Sequence, residues 1–205
     1  MLFFSHNFKK FRLNRGMTYV ELIVVLSIFA TMSSIVMFNY GDFQDRIDIR
    51  NLANDIGLKL VEAQKSATSG KFPSASQQIG LSASWKPSYG IYFNKVANNK
   101  IFFYFTDLDN SKTYEGTDCA GECVEKSTLP KGSYVSSIDV FYFDGTPSTS
   151  IDNAILTFTR PNQKMTVRSD DVIGLSISYV QITVTSSRGT QVAIKAYASG
   201  RIQSN

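Results

Sequence analysis

From Leu22 to Gly41 the chain runs for 20 residues without a charge, and from Asp42 onward its polarity becomes periodic. Twenty helical residues rise about 30 Å, the thickness of a bilayer's hydrocarbon core, so this stretch predicts a membrane-spanning helix. Beyond it Leu52, Ile56, Leu60, Ala63 and Ala67 recur at spacings of three and four, with Asp55, Lys59, Glu62 and Lys65 opposite. That spacing puts one apolar stripe on one helix face. No proline interrupts residues 17–72, and Gly70 ahead of Pro73 supplies a stop. The pattern predicts one helix of about 50 residues, roughly 75–80 Å long. Its first half is apolar all round and its second half is amphipathic.

"GKFPSASQQ" (70–78) reads as a loop, and then the period changes to two. "YGIYF" (89–93), "KIFFYFT" (100–106), "SYVSSIDVFYF" (133–143) and "AILTFTR" (154–160) are rich in β-branched and aromatic residues. "KMTVRS" (164–169), "LSISYVQITVTS" (175–186) and "QVAIKAYA" (191–198) continue the series, and "TSSRGTQ" predicts a hairpin between the last two. The connections are too short for crossover helices, so the strands are expected to be antiparallel. The fold class is α+β, a long N-terminal helix packed on an antiparallel sheet. Four segments follow: a leader at 1–16, a span at 17–41, the amphipathic continuation at 42–70 and a β-rich head at 71–205.

Charge changes the picture at one end only. Four of the 21 basic residues, Lys9, Lys10, Arg12 and Arg15, lie in residues 1–16, so the remaining 17 balance the 17 acids. Bulk charge therefore gives no support to a nucleic-acid partner. A hydrophobic content of 43% excludes general disorder. Cys119 and Cys123 in "CAGEC", with His6, are too few soft ligands for a structural zinc site. The two cysteines either close a small turn as a disulfide, which would place the region outside the cytoplasm, or remain reduced thiols.

In "TDLDNSKTYEGTDC" the residues Asp107, Asp109, Asn110 and Ser111 offer oxygens of the kind calcium loops use. Lys112 stands where an EF-hand loop requires glycine, and Asp118 holds the twelfth place instead of glutamate. Asp107, Asp109 and Asp118 are thus candidate calcium ligands, against the alternative of a solvated turn with Asx-type bonds. No other cofactor is expected. Asp170 and Asp171 are adjacent, so on a strand they point to opposite faces and are poorly placed to act as an acid–base pair. No histidine follows His6, and no nucleophile elbow or phosphate loop is present, so the chain reads as non-enzymatic.

Glu21 is the odd residue, since a carboxylate costs about 2.5–3.5 kcal/mol near a bilayer's centre. A secretory signal has a shorter apolar run and a small-residue cleavage site, and a plain signal anchor gives Glu21 no role. The stretch Gly16-Met17-Thr18-Tyr19-Val20-Glu21 followed by LIVVLSI resembles the class III signal of type IV prepilins and type II secretion pseudopilins. Met17 stands where that family usually has Phe, and Tyr19-Val20 replaces the commoner Leu-Ile or Leu-Val. The resemblance implies cleavage between Gly16 and Met17 by a prepilin peptidase, N-methylation of Met17, and Glu21 as the fifth residue of the mature chain. Glu21 is then expected to pair with the terminal amine of a neighbouring subunit. The implied partners are other pilins or pseudopilins, the peptidase, an inner-membrane assembly platform and the membrane itself. The chain would sit in the inner membrane as a single span, head outside the cytoplasm, before joining a filament.

The head is similar to the minor pseudopilin H and FimT-like group through "NLANDIGLKLVEAQKSA", "YGIYF" and "IKAYASGRI", although no such likeness extends across residues 107–150. Some FimT-like pilins of competent bacteria bind DNA near a Gly-Arg end. Here that implies Lys195 and Arg201 as candidate phosphate contacts, with Arg188 in the preceding turn, unless they are ordinary surface charges. So few cations would bind weakly and with strong salt dependence. A plain membrane-anchored binding domain is the third reading.

Overall fold

The computed structural model describes residues 16–78, 81, 84–116, 118–161, 164–169 and 176–204, apart from the side chain of Asn39. The leader 1–15, Asp170, Asp171 and Leu175 lie outside the described residues.

Helix α1 spans Tyr19–Ser69, and local chemistry sets both of its ends. Thr18 Oγ1 accepts a bond from the Glu21 N–H at 3.3 Å, and the Leu22 N–H reaches the Thr18 carbonyl at 3.1 Å. Thr18-x-x-Glu21 is therefore a capping-box sequence, with threonine at the N-cap and glutamate in the first turn. At the other end Gly70 turns left-handed at φ 70°. Its N–H bonds the Ala67 carbonyl while the Lys71 N–H bonds the Ser66 carbonyl. These two bonds make the Schellman closure that glycine permits.

The chain divides into two compact units, residues 1–41 and 42–205. In the first, the large apolar side chains between Leu22 and Phe38 are exposed, from 45% at Leu22 to 83% at Phe38. This part of α1 is long and apolar enough to cross a membrane.

In the second unit the helix buries Ile49, Leu52, Ala53, Ile56, Leu60, Ala63 and Ala67, the stripe expected from the spacing plus Ile49 and Ala53. Two antiparallel sheets supply the rest of the core. The first is ordered β3-β2-β1-β6-β7, from β1 (Ser88–Asn94), β2 (Ile101–Thr106), β3 (Cys123–Thr128), β6 (Asn153–Thr159) and β7 (Met165–Arg168). The second runs β10-β9-β8-β4-β5, from β4 (Tyr134–Tyr142), β5 (Thr149–Ser150), β8 (Ile177–Thr185), β9 (Gln191–Tyr197) and β10 (Ile202–Ser204). Tyr89, Ile91, Phe93 and Tyr104 from one sheet and Ile138, Val140, Val180, Ile182 and Ile194 from the other join the helix stripe in a single cluster. The sequence suggested one sheet. Alternation shows which face of a strand is buried, but not which strands are neighbours.

Seven strands lie where the period-two pattern put them. β3, β5 and β10 were not expected, and all are short or polar elements at sheet edges or beside them. Edge strands face solvent on more sides, which removes the alternation that would announce them. Helix α2 (Lys95–Asn98) is a single turn capped by Asn94, whose Oδ1 accepts from the Ala97 N–H at 2.7 Å.

Two glycines separate cleanly on steric grounds. At Gly90, in the central strand β1, an added Cβ would lie 2.6 Å from the Leu156 carbonyl oxygen and 2.8 Å from the Phe105 ring. Backbone cannot yield there without breaking the β1–β6 ladder. At Gly57, within α1, the nearest atom is Ile202 Cγ2 at 3.8 Å. Thermal melts of the full chain in detergent are expected to show Gly90→Ala losing about 1–3 kcal/mol or more. In the same melts Gly57→Ala is expected to gain about 0.5–1 kcal/mol from helix propensity.

Candidate functional site

The residues singled out by the sequence fall into separate places. Met17 and Glu21 lie at the start of α1, where Met17 is 65% exposed and the Glu21 N–H donates to the Thr18 hydroxyl. Gly16 precedes the helix, with nothing within 4 Å of where its Cβ would be.

The helix segment Asp42–Asp48 carries aspartates at 42, 45 and 48, three apart and so on one face. Each grips a turn of the head. Asp42 pairs with Arg188 at 3.0 Å, and Asp48 pairs with Lys131 in the β3–β4 turn. Asp45 Oδ2 accepts from Thr190 Oγ1 at 2.6 Å and Ser186 Oγ at 2.7 Å, the two ends of the expected β8–β9 hairpin. The spacing of three was the signal that this acidic run docks to something. Arg188 pairs with Asp42 while its side chain stays 56% exposed.

Lys195 and Arg201 lie on the outer face of the second sheet. Phe141, Tyr179 and Tyr197 form a cross-strand row there, with ring centroids 4.4 Å and 5.2 Å apart. The Lys195 ammonium stands 5.4 Å from the Tyr179 ring and the Arg201 guanidinium 4.1 Å from the Tyr197 ring. Tyr197 lies between the two cations in sequence. Tyr179 and Phe141 come from distant segments, joined only by strand register.

The third place is the loop between β2 and β3. Its Tyr114 ring packs on Tyr92, Phe103 and Phe105 at 5.1–5.4 Å, covering the face of the first sheet that the helix does not. Cys119 and Cys123 are disulfide-bonded. Glu122, between them, points inward: its Oε1 accepts the Leu108 N–H at 2.8 Å and its Oε2 the Glu115 N–H at 2.9 Å. Asp107 is fully buried, with Oδ2 accepting the Lys112 N–H at 3.0 Å and the Ser88 hydroxyl at 3.3 Å. Trp85 Nε1 donates to the Asp107 carbonyl at 2.8 Å.

Asp107 and Asp109 come together as the sequence suggested, but Asp118 does not join them. Asp118 points to Lys126, which lowers its carboxyl below the usual range. Glu122 takes the third place, with one oxygen of each of Asp107, Asp109 and Glu122 lying within 4.8 Å of the others. The displaced ligand follows from the backbone. Asp118 and Cys119 both adopt positive φ, turning residue 118 outward and bringing residue 122 back under the loop. Burial pushes Glu122 up to about 7 despite its two amide donors, with the Asp107 and Asp109 charges adding to the shift. Burial also raises Asp107, while the Ser111 N–H lowers the exposed Asp109.

Compared with known protein families, with curated proteins and with solved structures, the chain matches none of them.

Hydrogen bonds to its charged form from Thr190 and Ser186 hold the Asp45 carboxyl below 3.8, against some desolvation and the nearby Asp48, with Arg188 assisting. A carboxyl lowered on folding contributes stability above its unfolded value and loses it as pH falls through the folded one. Asp45→Ala is therefore expected to lower the melting temperature by a few degrees at neutral pH. The gap to wild type should narrow as pH drops below 3.8. Paired thermal melts across pH check this.

Proposed function

We propose that the chain is a structural subunit, a minor pilin or pseudopilin, of a type IV pilus or a type II secretion pseudopilus. The observation that carries this reading is the division of labour along α1. From Leu22 to Phe38 the helix is apolar on every side and unburied, and from Ile49 to Ala67 it buries one stripe in a β-rich head. An all-round apolar surface needs either lipid or other apolar helices around it. A subunit that begins in a membrane and ends in a filament core meets both. Glu21 lies at the membrane edge of this segment, four residues beyond Met17.

In this reading a prepilin peptidase cuts after Gly16 and leaves an ammonium at Met17, which it methylates. A positive terminus on one helix and the Glu21 carboxylate of its neighbour neutralise each other where water is scarce, which fixes axial register between subunits. The assembly platform drives extrusion, and the head stays outside the cytoplasm, where the Cys119–Cys123 bridge is stable.

Glu21 also has a local role in the capping box, and the two roles separate by substitution. Glutamine serves a capping box as well as glutamate does, but it cannot neutralise an ammonium. Glu21→Gln should leave the protein folded and membrane-inserted while abolishing incorporation into filaments. Incorporation at wild-type level would leave capping as its only role. Intact mass of the purified protein should show a chain that begins at a methylated Met17. An unprocessed amino terminus, or cleavage near residue 30, would overturn the reading.

A second reading has its own observation, the aromatic row Phe141–Tyr179–Tyr197 flanked by Lys195 and Arg201. Rings beside cations form a surface of the kind that binds nucleic acid through stacking and phosphate contact. If the head captures DNA for uptake, the full chain should retard duplex DNA at physiological salt and lose this on joint Lys195→Ala and Arg201→Ala substitution.

A further inference from the structure

We propose that a cleft beside the β6–β7 turn of the first sheet binds a compact ligand carrying two or more phosphate groups. This is independent of what the N-terminal helix assembles with. The cleft has a volume of about 730 Å³, within the range of small-molecule sites. Lys86, Lys112, Arg160 and Lys164 line it, and its described lining residues include no acid and no aromatic ring. None of the four makes an ion pair with a described acid. Outside residues 1–16 the chain balances 17 basic residues against 17 acidic ones, so four cations around one cleft are a local excess. A cleft lined by one sign of charge focuses its field and concentrates ions of the other sign.

Hydrogen bonds hold the three chain segments that supply these cations. The Arg160 N–H donates to the Pro87 carbonyl at 3.1 Å, and Thr159 Oγ1 stands 3.0 Å from Ser88 Oγ. The end of β6 is thus tied to the run that leads into β1. The Lys86 N–H donates to Asn110 Oδ1 at 3.3 Å and the Lys112 N–H to Asp107 Oδ2 at 3.0 Å, which brings in the loop after β2. Arg160 Nη1 lies 2.8 Å from where a Cβ on Gly70 would stand, at the C-terminal end of α1. That end carries a partial charge of about −0.5, which favours a cation but offsets only a fraction of four.

The chemistry of the lining selects the ligand. Donors dominate it: three ammonium groups, one guanidinium and the hydroxyls of Thr159 and Thr166. A guanidinium fork matches two phosphate oxygens, and ammonium groups act as point charges around it. One phosphate group carries about −1.5 to −2 at neutral pH, so four cations call for at least two. Single-stranded nucleic acid binds on rings where bases stack, and the described lining offers none. The aromatic row with Lys195 and Arg201 belongs to the other sheet.

Titration calorimetry of the full chain in detergent, with inorganic orthophosphate, pyrophosphate and tripolyphosphate at matched ionic strength, tests the site. Affinity should rise at least tenfold from orthophosphate to tripolyphosphate, and saturating tripolyphosphate should raise the melting temperature by several degrees. Joint Lys86→Gln and Lys164→Gln substitution, at exposed positions, should weaken tripolyphosphate binding at least tenfold without lowering the ligand-free melting temperature. Lys65→Gln with Lys100→Gln removes the same charge outside the cleft and should bind like wild type. Glucose 1,6-bisphosphate separates two sources of the same chemistry. Tighter binding than pyrophosphate assigns the cleft to a phosphorylated sugar, and weaker binding to condensed phosphate. No binding of tripolyphosphate by heat or by melting temperature, equal affinity for orthophosphate and tripolyphosphate, or equal losses in the two double variants would each overturn the proposal. Retardation of duplex DNA that depends on Lys86 and Lys164 would overturn it in favour of a nucleic-acid surface.

Discussion

The head rests on one contact, the burial of a single face of α1 between two sheets. Ile49, Leu52, Ile56 and Leu60 are almost completely removed from water, and each such side chain contributes about 1.5–3 kcal/mol when fully buried. Neither sheet has this core alone. β1 and β2 turn Tyr89, Ile91, Phe93, Phe102 and Tyr104 toward the helix, while β4, β8 and β9 supply an aliphatic wall from the other side. Polar bonds fix the helix where the alanines begin. Tyr104 donates to Ser66 at 3.0 Å and Tyr89 to the Lys71 carbonyl at 3.0 Å. Small residues at 63 and 67 let the sheet approach closely enough for these hydroxyls to reach.

The same helix face continues below the core as a row of acids. Asp42, Asp45 and Asp48 hold the hairpin and turn ends of the second unit. An apolar stripe defines which face is inward but lets a helix slide along its axis. Directional bonds at one end remove that freedom. The Schellman closure at Gly70 and the loop return at Lys71 remove it at the other. Opposite the helix, the 107–122 loop does for the first sheet what α1 does for its inner face. Tyr114 covers Tyr92, Phe103 and Phe105, and Glu122 ties two separated backbone segments together through its carboxylate.

Local periodicity made α1, its stop at Gly70 and seven strands legible from residues alone. The chemistry carried by side chains far apart in sequence was less legible. Asp118 looked like the third ligand because calcium loops are counted in steps along a chain. Positive φ at 118 and 119 breaks that count and puts Glu122, four residues later, in its place. Likewise no local spacing links Tyr197 with Tyr179, because the two are neighbours only through the β8–β9 register. Two sheets were read as one for the same reason. Spacing rules reach a few residues, and strand order and loop return are set by contacts at long separation.

Glu21 brings these scales together. Locally it fits a rule of short range: a glutamate three residues after a threonine cap, where the helix dipole favours a negative charge. That rule accounts for the residue in a water-exposed helix. It accounts less well for this one, because the large side chains that follow, from Leu22 to Phe38, are apolar, and no described residue of their own unit covers them. Whatever covers that surface also dries the end of the helix. A carboxylate there then needs a positive partner that the segment from Gly16 to Gly41 does not hold, since it contains no lysine, arginine or histidine. The missing charge must come from a lipid headgroup, from a terminus freed by cleavage, or from another chain. On the pilin reading proposed above, a terminus freed by cleavage in a neighbouring copy would supply that charge once per subunit.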